Sequence, residues 1–417
     1  MKLLTKLPVF IVILLFAACK KDNVAPVDNA AGVKKHQAVA GTFWPTSGVN
    51  FTAVTINGNF GTNPAAIKVK FNGVAAIVNS ATTSQVVATV PHEATTGKIS
   101  VTVNGITKTS STDFKVLKIV KEGSLSTDFY INKLSFDKSG NGITYLLTTT
   151  GVKKITANGS ISTLYTAPPI SLPKYYGMTG IDNDGLGNVY ITRSLFLDST
   201  YRIEPEGWVN TVTLLKSSVV LKINAAGQAT TLLGDGVRTN FKVLYDIKVN
   251  AKQQNLLLLQ SELWNVGGIL TKVTSSGNTQ NVNWLRPGYC FFPDNDGNYY
   301  TISPDTANTG KLFKVDANGT ATYISGKGGE GRKDGPANVA TFESPNGLVV
   351  DNVGNVIILH RLHPFRVVNT AGYAGILSGS IPDVNINRAM YYNYFNNKIY
   401  IVSHTSTGSI IRQYALK

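Results

Sequence analysis

Few residues in this chain could do bond-making chemistry, and they are thinly spread. Of five histidines, three fall near the C-terminal end: His360, His363 and His404. Imidazole nitrogens are common Zn²⁺ ligands, and a catalytic zinc takes three protein ligands and one open position. His360 and His404 close two apolar segments, so a shared metal is one arrangement to test. Against it, no histidine occurs between His92 and His360, and no Asp or Glu recurs at the corresponding strand ends in that stretch. Asp182-Asn183-Asp184 and Asp294-Asn295-Asp296-Gly297-Asn298 have oxygen spacing for Ca²⁺. The EF-hand pattern wants Gly where Tyr299 stands and Glu where Asp305 stands, so both read as Asx turns. No serine-protease, nucleotide-loop, C-x-x-C or H-E-x-x-H motif occurs. The chain is read as holding no metal and no cofactor.

What remains is a set of aromatic and basic residues suited to binding. Tyr175, Tyr176, Tyr201, Trp208, Trp264 and Trp284 offer ring faces on which a sugar can stack. Arg193, Arg286, Arg332 and Arg361 can fork a carboxylate, and His360 and His404 join them as candidate contacts. The alternative for each is plain loop packing.

These residues need elements to place them, and a repeat supplies the elements. An Asx/Gly turn before a short apolar strand recurs at Asp137-Lys138-Ser139-Gly140-Asn141, Asp182 to Asn188, Asp294 to Asn298 and Asp351 to Asn355. Weaker copies run from Asn250 to Asn255 and from Asn393 to Asn397. A second turn follows most of them, as in Lys154 to Gly159, Lys222 to Gly227, Lys272 to Gly277, Lys314 to Gly319 and Val367 to Gly372. Four strands per repeat, at intervals of roughly 40 to 70 residues, are the pattern of a β-propeller, here of six blades. The last copy lacks its second turn. The segment 116–121 is expected to pair with 409–415 and close the ring, since an open ring exposes strand edges. Both turns lie on one face. The longer connections, including Arg193 to Ser218 and Ser325 to Asn346, lie on the other, which is where binding is expected.

The stretch Asp334-Gly335, Ala340-Thr341-Phe342, Pro345-Asn346-Gly347-Leu348, Val350-Asp351, Gly354-Asn355-Val356 resembles an NHL repeat. That family continues with Tyr-Val-Ala-Asp; this chain has Ile357-Ile358-Leu359-His360.

Residues 41–115 read as a separate small sandwich. Short alternating strands such as Val69-Lys70-Phe71 end in Asn72-Gly73 and Asn104-Gly105, strong hairpin signals. With Trp44-Pro45-Thr46-Ser47-Gly48, Val54 to Gly61, Val90-Pro91 and Thr96-Gly97, the segment resembles an IPT/TIG domain of immunoglobulin-like fold. The resemblance implies a spacer or docking module. The expected chain is thus all-β, an IPT/TIG sandwich at 41–115 followed by a six-bladed propeller at 116–417.

Charge and leader narrow the partners. Charged residues are 15% of the chain, below the usual ~25%. Lys and Arg number 39 against 24 acids, a net charge of +15. Basic residues are scattered, and export, read from the leader below, argues against nucleic acid and leaves surface solvation, an anionic glycan or lipopolysaccharide. Residues 1–18 read as a signal peptide, with Lys2 and Lys6 before an apolar stretch from Leu7 to Phe16, too short to span a bilayer. Leu15-Phe16-Ala17-Ala18-Cys19 resembles a bacterial lipobox, with Phe16 where the family prefers Leu. That resemblance implies lipid on Cys19 and an outer-membrane anchor, followed by a polar tether from 19 to 40. It leaves the periplasmic and surface faces both open. The only other cysteine is Cys290, expected to be a small buried hydrophobe. Lipobox, sandwich and propeller together resemble cell-envelope lipoproteins of Bacteroidetes-type bacteria. They imply non-catalytic binding of carbohydrate or of an envelope protein, with a lyase- or lactonase-like enzyme and a docking scaffold as alternatives. A Cys19→Ala chain is expected to lose palmitate labelling and to leave the membrane fraction of fractionated cells; unchanged labelling would refute lipidation there.

Overall fold

The computed structural model describes residues 42–60, 66–169, 174–203, 208–234, 243–250, 255–261, 269–274, 278–282, 291–294, 298–303, 309–316, 318–329, 331–343, 345–360, 364–379 and 390–417. The leader, Cys19, the tether and Cys290 lie outside them. No α-helix occurs among the described residues.

The first nine strands are β1 Phe43–Trp44, β2 Ser47–Val49, β3 Ala53–Asn57, β4 Ile67–Phe71, β5 Val74–Ala75, β6 Ile77–Ala81, β7 Gln85–Thr89, β8 Gly97–Val103 and β9 Ile106–Leu117. They form two sheets, ordered β1-β3-β7-β6 and β2-β9-β8-β4-β5. Period-two alternation drives the pairing. Ile67, Val69 and Phe71 face inward while Lys68 and Lys70 are exposed, and they join Val54, Ile56, Ile99, Val101 and Phe114 in one core. Asn72-Gly73 and Asn104-Gly105 turn with positive φ at both residues, as the two-residue hairpin requires.

β9 runs through Leu117, so the sandwich ends later than the expected residue 115. The expected closing strand, 116–121, is therefore divided. Its first two residues belong to β9, and a new strand, β10, starts at Ile119 and runs to Thr127.

The rest of the chain supplies β11 Ile131–Phe136, β12 Thr144–Thr148, β13 Gly151–Ile155, β14 Ile161–Thr166 (sheet I) and β15 Lys174–Asn183, β16 Val189–Ile203, β17 Trp208–Ile223, β18 Ala229–Leu233 (sheet II). Sheet III has β19 Val243–Asn250, β20 Asn255–Ser261, β21 Ile269–Thr274 and β22 Thr279–Val282. Sheet IV has β23 Phe291–Pro293, β24 Tyr299–Ile302, β25 Leu312–Val315 and β26 Ala321–Ser325. Sheet V has β27 Pro345–Val350, β28 Val356–His360, β29 Arg366–Val368 and β30 Ala374–Ile376. Sheet VI joins β31 Met390–Asn393, β32 Lys398–His404 and β33 Ser409–Leu416 to β10, in the order β10-β33-β32-β31. β10 and β33 pair antiparallel from Ile119↔Leu416 to Thr127↔Ser409.

First strands touch first strands. β11 meets β15 and β31, β15 meets β19, and β27 meets β23 and β31. A bulge recurs in this layer. The register of the first strand against the second slips at Asn132, Thr179, Tyr245 and Asn346, one residue in each of sheets I, II, III and V. The extra residue turns a side chain toward the next sheet. Asn132 Nδ2 donates to Met178 O at 2.9 Å, and Thr179 Oγ1 donates to Leu244 O.

One expected long loop is not a loop. Arg193 to Ser218 continues β16 and β17 as a two-stranded ribbon whose last pair is Ile203↔Trp208. β-branched and aromatic residues on both arms favour extended pairing, and Glu204-Pro205-Glu206-Gly207 separates them.

The sandwich is bound to sheet V. Asn369 Nδ2 donates to Phe51 O at 2.7 Å and to Thr89 Oγ1 at 3.2 Å. Asn355 Nδ2 donates to Thr52 Oγ1 at 3.0 Å, and Ser378 N donates to Asn50 Oδ1 at 2.8 Å. The Phe51 ring stacks on Tyr373 at 5.6 Å and on His92 at 5.7 Å. A Cβ on Gly375 would stand 2.1 Å from the Phe51 ring, so only glycine fits there. Gly375→Ala is expected to cost about 1–3 kcal/mol and to speed proteolysis near Lys118, where the domains join. Denaturant melts and limited digestion would check this; an unchanged digestion pattern would show that the contact does not hold the domains.

Candidate functional site

A cavity of about 460 Å³ opens where the first strands end in their Asx turns. Its charged side chains come mostly from sheets I to III: Lys138, Asp182 and Lys248, with Asp294 of sheet IV. Its aromatic wall is built mostly by sheets IV and VI, with Phe292, Tyr391, Tyr392, Tyr394 and Phe395.

The charged half is built from the turn ends of β11, β15 and β19. Asp182 takes Ser135 Oγ at 2.9 Å, Lys138 Nζ at 2.6 Å and Val249 N at 2.8 Å, two partners from sheet I and its turn and one from sheet III. Burial alone would raise its pKa, but Lys138, Lys248 and these hydrogen bonds outweigh that and hold it below the usual carboxylate range. Lys138 Nζ also donates to Val249 O at 2.7 Å. Deeper in, Lys133 Nζ reaches Asp246 Oδ2 at 2.9 Å, and Lys248 Nζ stands 3.9 Å from the same oxygen. Burial pulls the Lys133 ammonium below the usual lysine range, against the attraction of Asp246. Lys133 and Asp246 each follow the bulge in their strand. Sheet II, between them, has Gly180 at that position, where a Cβ would come within 2.7 Å of Ile247 N. The missing side chain lets sheets I and III pair past it.

The aromatic half is packed edge to face. Tyr392 and Tyr394 meet at 4.9 Å and 84°, and Phe292 lies 6.2 Å from Tyr394. Burial pushes both phenols well above the ordinary tyrosine range. Phe395, at the rim, is 62% exposed. Asn352 Nδ2 donates to Tyr394 O at 3.3 Å and ties sheet V to this wall.

The Asx turns around the cavity repeat one hydrogen-bond pattern. Asn188, Asn298 and Asn355 each donate from backbone N and from Nδ2 to the aspartate four residues back, at 2.7–3.1 Å. The aspartate oxygens are engaged in shaping turns. No cluster of three or more His, Cys, Asp or Glu suited to a metal occurs among the described residues.

The residues singled out from sequence are dispersed. His360 is buried at the end of β28, and its Nδ1 donates to Glu343 O at 2.8 Å. His404 Nε2 donates to Ile131 O at 2.9 Å, and its ring packs on Tyr130 at 5.2 Å. Each histidine thus ties a strand end to a different segment. Arg193 Nη1 donates to Tyr165 Oη at 3.3 Å, and Arg332 pairs with Glu343 at 3.4 Å. Tyr175 and Tyr176 lie on β15, Tyr201 on β16, and Trp208 opens β17. Trp264, Trp284, Arg286, Arg361 and His363 lie outside the described residues.

Two groups were missed. The cavity's tyrosines and lysines look like ordinary strand residues in sequence; only their shared position just before or within the Asx turns could have marked them. Arg366 was missed as well. Its guanidinium grips Asp334 Oδ1 at 2.7 and 3.0 Å, Thr341 O and Lys333 O at 2.7 Å each, and covers the Phe342 ring at 5.1 Å. The connection from Gly331 to Glu343 is therefore clamped onto sheet V.

Residues 41–116 form an IPT/TIG domain. No curated protein matches the sequence. Solved structures align over most of the chain at low similarity. An auxiliary nutrient binding protein from Bacteroides ovatus aligns at TM-score 0.48 and 14% identity, over 92% of this chain and 99% of that one. A protein of unknown function from Bacteroides thetaiotaomicron gives 0.47 and 18%, over 93% and 100%. A gluconolactonase from Xanthomonas campestris gives 0.43 and 12%, over 70% and 89%.

Burial pushes the Asp351 carboxyl up to about 6, against hydrogen bonds from Asn355 and Val353 that favour its charged form. The unfolded value is about 3.9, so the folded chain keeps a proton that the unfolded chain releases between about pH 4 and 6. Stability is expected to fall as pH rises through that window, by on the order of 3 kcal/mol, and to level off above it. Asp351→Asn cannot titrate. In urea melts from pH 4 to 7, wild type should lose stability relative to this variant; a constant difference would refute the shift.

Proposed function

We propose that the chain is an exported, lipid-anchored envelope protein that binds a carbohydrate end without turning it over. In this reading the six sheets are the blades of a closed propeller, with β10 completing the last blade and the stretch 331–360 being one NHL repeat. The reading is supported by the common four-strand order, by first strands touching in succession, and by the pairing of β10 with β33.

The observation that carries the binding site is the cavity itself. It is concave, aromatic on one side and polar on the other, the form of a small-ligand site. The Phe395 ring stands exposed at its mouth, where a sugar face can stack, while Asn250, Asn352 and Asn393 offer amides to hydroxyls. Binding without turnover is favoured because Asp182 is committed to its ion pair and Asp294 to its turn. Hydrolysis of a glycosidic bond asks for two carboxyl groups facing the bond from either side.

The site is placed at the turn end, not at the long-connection face that the loop lengths favoured. A glycan array with the full chain, followed by calorimetry on the best hits, tests this. Phe395→Ala is expected to weaken those hits about tenfold with little change in melting temperature, since the ring is exposed. An array without hits, or hits indifferent to Phe395→Ala, would overturn the proposal.

A further inference from the structure

Resting on the reading that this cavity holds a sugar, we infer that the sugar carries a carboxylate and that Lys248 is its counter-ion. The other charges lining the cavity are already satisfied. Lys138 and Asp182 are joined at 2.6 Å. Asp294 takes two hydrogen bonds from Asn298, at 3.0 and 2.8 Å.

Lys248 differs from them. It lines the cavity with its side chain 14% exposed, and its ion-pair contact is Asp246 Oδ2 at 3.9 Å. That oxygen already takes Lys133 at 2.9 Å. Charge-assisted hydrogen bonds of this type run at about 2.7–2.9 Å, so Lys248 holds only the loose share of one carboxylate. Two ammonium groups thus stand on Asp246. A third, Lys138, stands on Asp182, which Lys248 also draws on. Asp294, the remaining carboxylate of the lining, is engaged by Asn298 in its own turn, so Lys248 is left as the cation whose carboxylate contact is the long one. A mostly buried cation with a distant partner is poorly compensated, and an entering carboxylate would supply the missing oxygen. The ring of the same ligand would then lie toward Tyr394 and Phe395. The chain's net charge, +15 in full and +13 once Lys2 and Lys6 leave with the leader, attracts such a ligand from a distance.

The test is calorimetric titration of the full chain with a galacturonic acid trisaccharide and with the galactose trisaccharide of the same linkage, at low and high salt. The acidic form is expected to bind at least about tenfold tighter at low salt, with the advantage shrinking as salt rises. Lys248→Gln should erase the advantage and keep the weaker neutral binding, while Lys248→Arg should retain most of it. Melting curves confirm that the variants fold. Should Lys248→Gln fail to fold, Lys248→Arg and the wild-type salt dependence still decide. Equal binding of the two trisaccharides, or a preference that survives Lys248→Gln, overturns the charge inference and leaves sugar binding standing. If neither trisaccharide binds while the array gives neutral hits, the acidic ligand is again excluded. If the array too is empty, the binding reading itself falls.

Discussion

The ion pair between Lys133 and Asp246 imposes the tightest constraint on the cavity region. It joins the first and third sheets past the second, with Nζ and Oδ2 at 2.9 Å. This works only because Gly180 presents no side chain between them, and because a bulge precedes each of the three positions. The bulges set the facing of every residue that follows. A one-residue slip in a strand turns each side chain to the opposite face. Without the bulges, Lys248 and Asp182 would face the sheet cores instead of the cavity. The pair is also costly to break from the acidic side, since removing Asp246 leaves the mostly buried Lys133 ammonium with no carboxylate.

The same layer explains His404. Its Nε2 bonds to Ile131 O, the carbonyl just before the bulge of sheet I. Asn132 bonds to Met178 O and Thr179 to Leu244 O, each just before the bulge of the next sheet. One inter-sheet bond is thus made three times by three residue types. A histidine looks chemically special in a sequence, yet here it does what an asparagine and a threonine do elsewhere. His360 is likewise committed to Glu343 O. The connection it holds is also clamped by Arg366, which leaves that segment little freedom to act as a mobile loop.

Local signals were legible. Asn-Gly hairpins, Asx turns and alternating strands depend on a few adjacent residues, and the turn positions read from sequence carry the strands as expected. The sandwich was legible for the same reason, in that its turns punctuate every strand. The end of β9 was not, because Val116 and Leu117 alternate as well with the strand before them as with the one after. The ribbon of β16 and β17 was missed because the connection was taken as whatever lies between recurring turns, while pairing across fifteen residues depends on register. The cavity was barely legible, through nothing but the shared position of its residues beside the Asx turns. It exists only where ends of strands far apart in sequence converge, and only its place before the first kind of turn separates Lys248 from Lys222 and Lys272, which open the second kind.

The location of the cavity follows from how the two ends of the sheets are built. The turn end is made of short, hydrogen-bonded Asx turns whose asparagines and aspartates satisfy one another, so their backbone is fixed. Rigid turns can hold side chains in place at a cavity mouth without closing over it. Part of that end is also covered, since the IPT/TIG domain bonds to Asn355 and Asn369 in the turns of sheet V. Asn355 belongs to the turn that also contributes Asn352 to the cavity. The docked domain therefore braces the turn beside the mouth, through Thr52, while the aromatic wall stands on the adjoining sheet VI. A domain that resembles a spacer is in this chain bonded to a turn that lines the cavity, and its contribution is to hold that turn still.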